Sequence, residues 1–154
     1  MTKSTTSSNG SSSALLGWTS NWNINLRTKK IMLQEGLRHT SELTVTQDVT
    51  AFAMGSGDMA VLATPAMMAL MENAAMLAVA DHLPDGCTTV GGHIASSHLK
   101  PSKIGETITA TAIVTRVDGK KIEFKIEAHC GDLLLGEGTH LRFIVDREKF
   151  MSRL

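Results

Sequence analysis

The chain has 154 residues, of which 42% are hydrophobic and 19% are charged, enough for one domain with a single core. Lys and Arg together number 15, as do Asp and Glu, so the formal net charge is zero. This balance argues against broad binding to a nucleic-acid backbone and against polybasic attachment to a membrane.

The cysteines indicate a reducing environment. Cys87 and Cys130 are too few for a disulfide framework or a cysteine-rich zinc site. No basic segment leads into an apolar stretch in the manner of a signal peptide, so a cytoplasmic protein is predicted.

The first 31 residues differ in composition from the rest. Of residues 1–30, 16 are Ser, Thr or Asn, and such a segment cannot bury enough apolar surface to order itself. Four interpretations stand: a disordered tail, a leader or tag, an overlong start, or a Ser-rich transit peptide. We favour a leader or an overlong start, because Met32 opens a sensible domain. The folded domain is therefore predicted over residues 32–154, with residues 1–31 set apart.

The first predicted elements are one strand and one long helix. Residues 37–47 contain a β-branched, roughly alternating run typical of a strand. Residues 48–57 are less regular and end in Gly55-Ser56-Gly57, which predicts a flexible loop. Residues 65–80 consist mainly of Ala, Met and Leu, which predict a helix about 24 Å long. This helix is apolar around nearly its whole circumference, is short for a membrane span, and carries Glu72 at its centre. We expect a core helix that is covered on most sides by protein.

Four strand-like segments follow the helix. They cover residues 87–99, 106–117, 121–129 and 133–145, with turns at Asp118-Gly119 and Gly131-Asp132. A short helix is predicted over residues 146–154. One strand, one long apolar helix and an antiparallel meander of four strands predict an α+β hot-dog fold, in which the sheet wraps around the helix.

Glu72 is the main chemical anomaly, because a carboxylate is rarely buried without a partner. In the middle of an apolar helix we expect it to have a raised pKa, a donor that holds it ionised, or both. The alternative is that Glu72 lies on one wet or subunit-facing stripe of the helix and makes a structural hydrogen bond. Its neighbour Asn73 is predicted to be structural and to bond an adjacent strand.

The start of the helix offers candidate hydrogen-bond donors. Thr64 precedes Pro65 and is predicted to cap the helix. A helix also presents free N–H groups and the positive end of its dipole at this end. Because Pro65 has no N–H, Ala66 and Met67 are predicted to supply the nearest free donors, which suit a developing oxyanion.

The histidines predict no metal site, because none of the six is spaced with Cys, Asp or Glu as in a metal motif. His93 and His98 differ by an odd number, so they are predicted to lie on opposite faces of one strand. One of them then faces the helix or a subunit interface. Gly91-Gly92 in the same strand predicts a bulge or the close approach of another group.

Several short motifs together resemble a known family. These are Thr64 at the helix start, Glu72 in Leu70-Met71-Glu72, Gly91 ahead of Ser97-His98, the turn 101–105, Gly138 to Arg142, and Glu148-Lys149-Phe150. Over residues 33–150 the chain resembles the hot-dog thioesterases, and most closely the fluoroacetyl-CoA thioesterase type. The resemblance implies that Thr64, Glu72 and His98 form the catalytic group. It also implies that Gly91 lies beside the reacting centre and that Arg142 lies at the active site.

The implied reaction is hydrolysis of an acyl-CoA thioester to the free acid and coenzyme A, with no cofactor besides the coenzyme A of the substrate. The fluoroacetyl enzyme carries phenylalanines ahead of the helix as a hydrophobic gate, whereas residues 53–59 here contain no aromatic side chain. A short- or medium-chain acyl group is therefore predicted. The alternative is a non-catalytic module that binds acyl-CoA or CoA, since the fold supports binding without turnover.

Helix geometry adds a prediction about assembly. Thr64 and Glu72 are eight residues apart, or about 12 Å along one helix, so they cannot share a hydrogen bond within it. If both act on one thioester, they come from different subunits, or a water or substrate atom bridges them. We predict a homodimer, or a dimer of dimers, with sites at a two-fold interface. Glu72 as base or nucleophile, and Thr64 as orienting group or nucleophile, stay open, with His98 relaying a proton to or from the leaving thiolate.

Overall fold

The computed structural model describes residues 32–154, and the predicted leader at residues 1–31 lies outside this range. The strands are β1 (Arg38–Thr44), β2 (Cys87–His98), β3 (Thr107–Asp118), β4 (Lys121–Cys130) and β5 (Leu133–Asp146). The helices are α1 (Ala51–Met54), α2 (Thr64–Val79) and α3 (Arg147–Ser152). Within residues 32–154, no helix combines the length and apolar character needed to cross a membrane.

The five strands form one antiparallel sheet in the order β1-β3-β4-β5-β2, with α2 packed against it. The buried face of α2 supplies residues such as Met67, Met71 and Ala75, which meet Ile108 and Ile126 of the sheet in one core. Inward residues alternate with outward ones along β3 and β4, as a half-buried sheet requires. The predicted hot-dog fold is confirmed.

The strand order differs from the predicted meander of four. β3, β4 and β5 are hairpin neighbours, but β2 lies at the far edge and pairs with β5. Residues 99–106 carry the chain from β2 across to β3 and bond the segment before α2, where the N–H of Leu62 donates to the carbonyl oxygen of Ser102 at 2.8 Å. Turn signals report local hairpins, whereas this pairing joins strands about 50 residues apart, so no local pattern shows it.

Helix α1 lies within residues 48–57, which the sequence describes only as less regular, and the loop predicted at Gly55-Ser56-Gly57 follows it. The hydroxyl of Thr50 accepts the N–H of Ala53 at 3.2 Å and caps the helix. Gly55 ends it with φ +72°, a left-handed conformation that favours glycine. The helix is only one turn long, so it leaves no periodic apolar pattern in the sequence.

Strand β2 contains the bulge that the glycine pair predicted. Gly91 pairs with Arg142 and His93 pairs with Leu141, so Gly92 is the extra residue. After the bulge Ile94 and His98 are half-buried, whereas His93 is exposed. The prediction that His93 and His98 lie on opposite faces is confirmed.

Candidate active site

Thr64 and His98 form the first group of site residues. Thr64 is the first residue of α2 and His98 the last of β2, and Oγ1 of Thr64 lies 2.8 Å from Nδ1 of His98. Burial lowers the pKa of His98, an effect that the backbone of Lys100 partly offsets, so the neutral ring can accept the threonine proton. The two side chains border a cleft of about 340 Å³ between the segment around α1 and the chain that leaves β2.

The predicted cap at Thr64 is wrong. The N-cap of α2 is Ala63, one residue earlier, and the threonine hydroxyl contacts His98 instead of the helix backbone. This shift also overturns Ala66 and Met67 as free donors, because their N–H groups both donate to the carbonyl oxygen of Ala63, at 3.0 and 3.1 Å. An earlier cap moves both amides into the bonded part of the first turn.

Glu72 and Arg142 form the second group. Glu72 is not buried: its side chain is 43% exposed on the open stripe of α2, whereas that of Arg142 is 8% exposed. Nη1 of Arg142 lies 3.6 Å from Oε2 of Glu72, so the donor expected for this carboxylate is present. Burial lowers the pKa of Arg142 while the charge of Glu72 opposes the shift, and a guanidinium stays charged at neutral pH.

Arg142 is held by β2 as well as by its own strand β5. Its Nε donates to Oγ1 of Thr89 at 2.8 Å, and its Nη2 donates to the carbonyl oxygen of the same residue at 2.9 Å. Two parallel bonds to one residue fix the plane of the guanidinium. Nη1 is thereby left to face the helix and Glu72.

Gly91 provides the space beside this carboxylate. A Cβ at position 91 would lie 3.0 Å from Oε2 of Glu72 and 3.4 Å from Cε1 of His140. These residues border a cleft of about 380 Å³ that also includes Gly92, His93 and Ile94. The absence of a side chain at Gly91 therefore leaves space beside the carboxylate of Glu72 that any other residue would reduce.

Within one subunit the predicted residues fall into two groups. Thr64 lies with His98, and Glu72 lies with Gly91 and Arg142. The two groups border different clefts, at positions eight residues apart on α2. Asn73, next to Glu72, accepts a hydrogen bond from the hydroxyl of Ser41 on β1 at 2.7 Å and is structural, as predicted.

Two buried residues at this site were not singled out from the sequence. His140 bonds Arg142 through Nε2 at 3.2 Å, and Thr89 supplies two acceptors to the same guanidinium. A signal for His140 does exist, because residues 140 and 142 of one strand face the same side. Across residues 32–154, this site included, no three His, Cys, Asp or Glu side chains lie close enough together to hold a metal ion.

The sequence profile of the family described as Fluoroacetyl-CoA-specific thioesterase matches residues 45–148, a range that includes both groups of site residues. The chain belongs to this family. A fluoroacetyl-CoA thioesterase from Streptantibioticus cattleyicolor is 35% identical over 94 residues, which cover 61% of this chain and 68% of that protein. Membership of the family confirms the predicted class of enzyme, an acyl-CoA thioester hydrolase.

Solved structures agree with the family. A variant of the fluoroacetyl-CoA thioesterase in complex with acetyl-CoA is 29% identical, with a TM-score of 0.74 over 79% of this chain and 96% of that one. A hot-dog-like protein from Thermanaerovibrio acidaminovorans, 21% identical, covers 79% of this chain and 90% of its own with a TM-score of 0.71. The second likeness shows the shared fold.

Proposed function

We propose that the chain hydrolyses short- or medium-chain acyl-CoA thioesters in the cytoplasm, and that Thr64, Glu72 and His98 carry the reaction. The proposal includes no cofactor apart from the coenzyme A of the substrate. The observation that carries it is the position of Glu72, a half-exposed carboxylate beside the space at Gly91, with Nη1 of Arg142 3.6 Å away. A carboxylate in such a cleft suits the activation of water.

Each residue has a defined role in the proposed reaction. Glu72 accepts a proton from water, and the water oxygen attacks the carbonyl carbon of the thioester. The C–S bond breaks and coenzyme A leaves as the thiolate. His98 relays to this thiolate the proton that Glu72 accepted from the water. The contact between Thr64 and His98 supports an orienting role for the threonine hydroxyl, which fixes the imidazole. An acyl-enzyme trapped on Thr64 would instead identify the threonine as a nucleophile.

The preference for short or medium chains rests on the segment ahead of α2. Residues 53–59 contain no aromatic side chain, and the cleft beside Thr64 is open to solvent. Phe52 of α1 is the nearby aromatic residue, but it is 66% exposed and does not line that cleft. This arrangement leaves room for acyl groups larger than fluoroacetyl.

The complete site is proposed to form across a homodimer, alone or within a dimer of dimers. One straight helix separates Thr64 from Glu72 by about 12 Å, so a single thioester does not reach both in one subunit. The open stripe of α2 also carries Met68, Met76 and Leu77, which are apolar and partly exposed. A two-fold axis beside this stripe would bring Thr64 of one subunit toward Glu72 of the other. A strictly monomeric protein with full activity would contradict this assembly.

Release of thiol from a panel of acyl-CoAs, acetyl to long-chain and aryl, tests the function. Fast release with short or medium chains, and its loss in Glu72→Gln, is the expected result. Ser41→Ala is the matched control, because it removes a polar contact of the adjacent residue Asn73 and leaves Glu72 in place. Saturable binding of CoA without hydrolysis of any thioester would support the binding module instead.

A further inference from the structure

His140 is a buried polar residue that the proposed reaction does not use. It is 3% exposed on the inner face of β5, and Phe124 of β4 packs against its ring with centroids 6.1 Å apart. It borders the cleft beside Glu72. A buried imidazole in a sheet needs partners for both ring nitrogens, and those partners define what it does.

The two partners fix one protonation state. Nδ1 lies 2.7 Å from the carbonyl oxygen of His93, an atom that only accepts, so Nδ1 carries the hydrogen. Nε2 lies 3.2 Å from Nη1 of Arg142, a group that only donates, so Nε2 offers its lone pair. His140 is therefore the neutral Nδ1–H tautomer.

The charged and titratable groups around the ring support this state. They are Glu72 on α2, His93 on β2 and Arg142 on β5. Burial lowers the pKa of His140, and the charge of Arg142 lowers it further, against the opposing effects of the His93 carbonyl and Glu72. A protonated ring would point an N–H of Nε2 at an N–H of Arg142, which the geometry disfavours.

The hydrogen bonds of Arg142 indicate the role of the lone pair on Nε2 of His140. Nε and Nη2 are both bound by Thr89, while Nη1 meets Nε2 of His140 and faces Oε2 of Glu72 at 3.6 Å. His140 is thus the acceptor on the one nitrogen that lies next to the carboxylate. Removing it leaves the buried Nη1 without its acceptor, so that Thr89 alone anchors the guanidinium, through Nε and Nη2.

We propose that His140 is a positioning residue of the thioesterase reaction, which holds Nη1 of Arg142 against Glu72 through the lone pair on Nε2. The inference rests on the proposed role of Glu72 as the base. The β-bulge contributes to it, because the carbonyl group that fixes the tautomer belongs to His93, the residue directly after Gly92.

Two substitutions of His140 by amide side chains test its two hydrogen bonds one at a time. His140→Gln can place its amide oxygen near the position of Nε2 and accept from Arg142, whereas His140→Asn can donate to the carbonyl of His93 but is too short to reach Arg142. We expect His140→Asn to lower kcat by about 10- to 100-fold with little change in KM, because Glu72 is misplaced while the substrate contacts stay. His140→Gln should stay within about threefold of the wild type, and His129→Asn on β4 is the matched control.

A double substitution tests whether His140 acts on Glu72 through Arg142. If His140 acts through Arg142, His140→Asn causes no further loss of kcat in an Arg142→Gln background. Losses that multiply, or equal losses in His140→Gln and His140→Asn, would assign His140 a merely structural role.

A spectroscopic measurement keeps the inference separate from the proposed function. The ¹⁵N shifts of the His140 ring in the wild-type chain should show hydrogen on Nδ1 and an unprotonated Nε2. Hydrogen on Nε2 would overturn the positioning role even if the substituted chains failed to fold. The expected tautomer in a chain that hydrolyses no thioester would refute the proposed function and with it the catalytic purpose of His140, but not the bond to Arg142.

Discussion

Gly91→Ala should separate activity from stability, because the added methyl group meets the candidate base and little else. The new Cβ would lie 3.0 Å from Oε2 of Glu72, whereas ordinary contacts begin near 3.4 Å, so the carboxylate must move by about 0.4 Å (3.4 − 3.0). Cε1 of His140 at 3.4 Å and Nη1 of Arg142 at 3.7 Å are already at ordinary contact distances.

The cost to stability should be small. The side chain of Glu72 is 43% exposed and can shift toward solvent without opening a cavity. Replacing glycine by alanine also restricts the unfolded chain, which favours the folded state by about 0.4–1 kcal/mol where the conformation is allowed. We expect the free energy of unfolding of Gly91→Ala to stay within about 1 kcal/mol of the wild type.

The cost to activity should be larger. Misplacement of a reacting group by about 1 Å can reduce a rate about 100-fold, so a shift of a few tenths of an ångström should lower kcat about tenfold. That loss corresponds to about 1.4 kcal/mol in the activation free energy. Thiol release gives kcat, and urea unfolding gives the stability.

Gly92→Ala is the control, with the same substitution one residue further along. Its Cβ would lie 2.5 and 2.9 Å from two ring atoms of Phe143, away from Glu72, so the ring must move. We expect a larger loss of stability than in Gly91→Ala, because the clash is closer, and a smaller loss of kcat, because Glu72 is not displaced. The reasoning is refuted if Gly91→Ala keeps the wild-type kcat, or if the two variants lose activity in proportion to stability.

Three further outcomes are expected. Glu72→Gln should lower kcat by about 10²- to 10⁴-fold while light scattering shows an unchanged oligomer, because only the proton acceptor is lost. Thr64→Val should lower kcat at least tenfold and Thr64→Ser much less, yet urea unfolding should show that both change stability by less than about 1 kcal/mol, because Thr64 is not the cap. Burial holds the pKa of His98 in the folded protein below its ordinary 6.5. As the pH falls, His98 is therefore protonated in the unfolded chain before it is protonated in the folded one. Stability should therefore be full above about pH 6.5 and decline below it, and this decline should be absent in His98→Gln. Activity should fall only at a lower pH, where His98 of the folded protein takes up a proton.

The sequence predicts the elements whose pattern is long and regular. The Ala-, Met- and Leu-rich run gives α2 within one residue at each end, and the alternation from Lys121 to His129 gives β4 almost unchanged. The place of β2 beside β5 could not be predicted this way, because strand pairing across the whole domain depends on packing that no single segment encodes. The one-turn helix α1 was missed for the opposite reason, because it is too short to show a period.

The site was predictable as residue types but not as geometry. Glu72 was expected to be buried or to lie on an open stripe, and the structure selects the stripe together with Arg142 as its partner. The sequence predicts Thr64 as the cap because Pro65 follows it, yet proline is tolerated anywhere in the first helical turn, and the structure places the cap at Ala63. Because the helix begins one residue earlier, the N–H groups of Ala66 and Met67 are hydrogen-bonded to the carbonyl oxygen of Ala63 and are not free for a substrate.

The bulge at Gly92 connects the two groups of site residues. Gly91 and His98 are seven residues apart, so in a regular strand they would face opposite sides of the sheet. One inserted residue reverses the alternation, and both then face α2, Gly91 toward Glu72 and His98 toward Thr64. His93, the residue directly after the bulge, supplies the carbonyl group that fixes the tautomer of His140. A single extra glycine therefore allows one strand, β2, to contact both groups of site residues, Glu72 through Gly91 and Thr64 through His98.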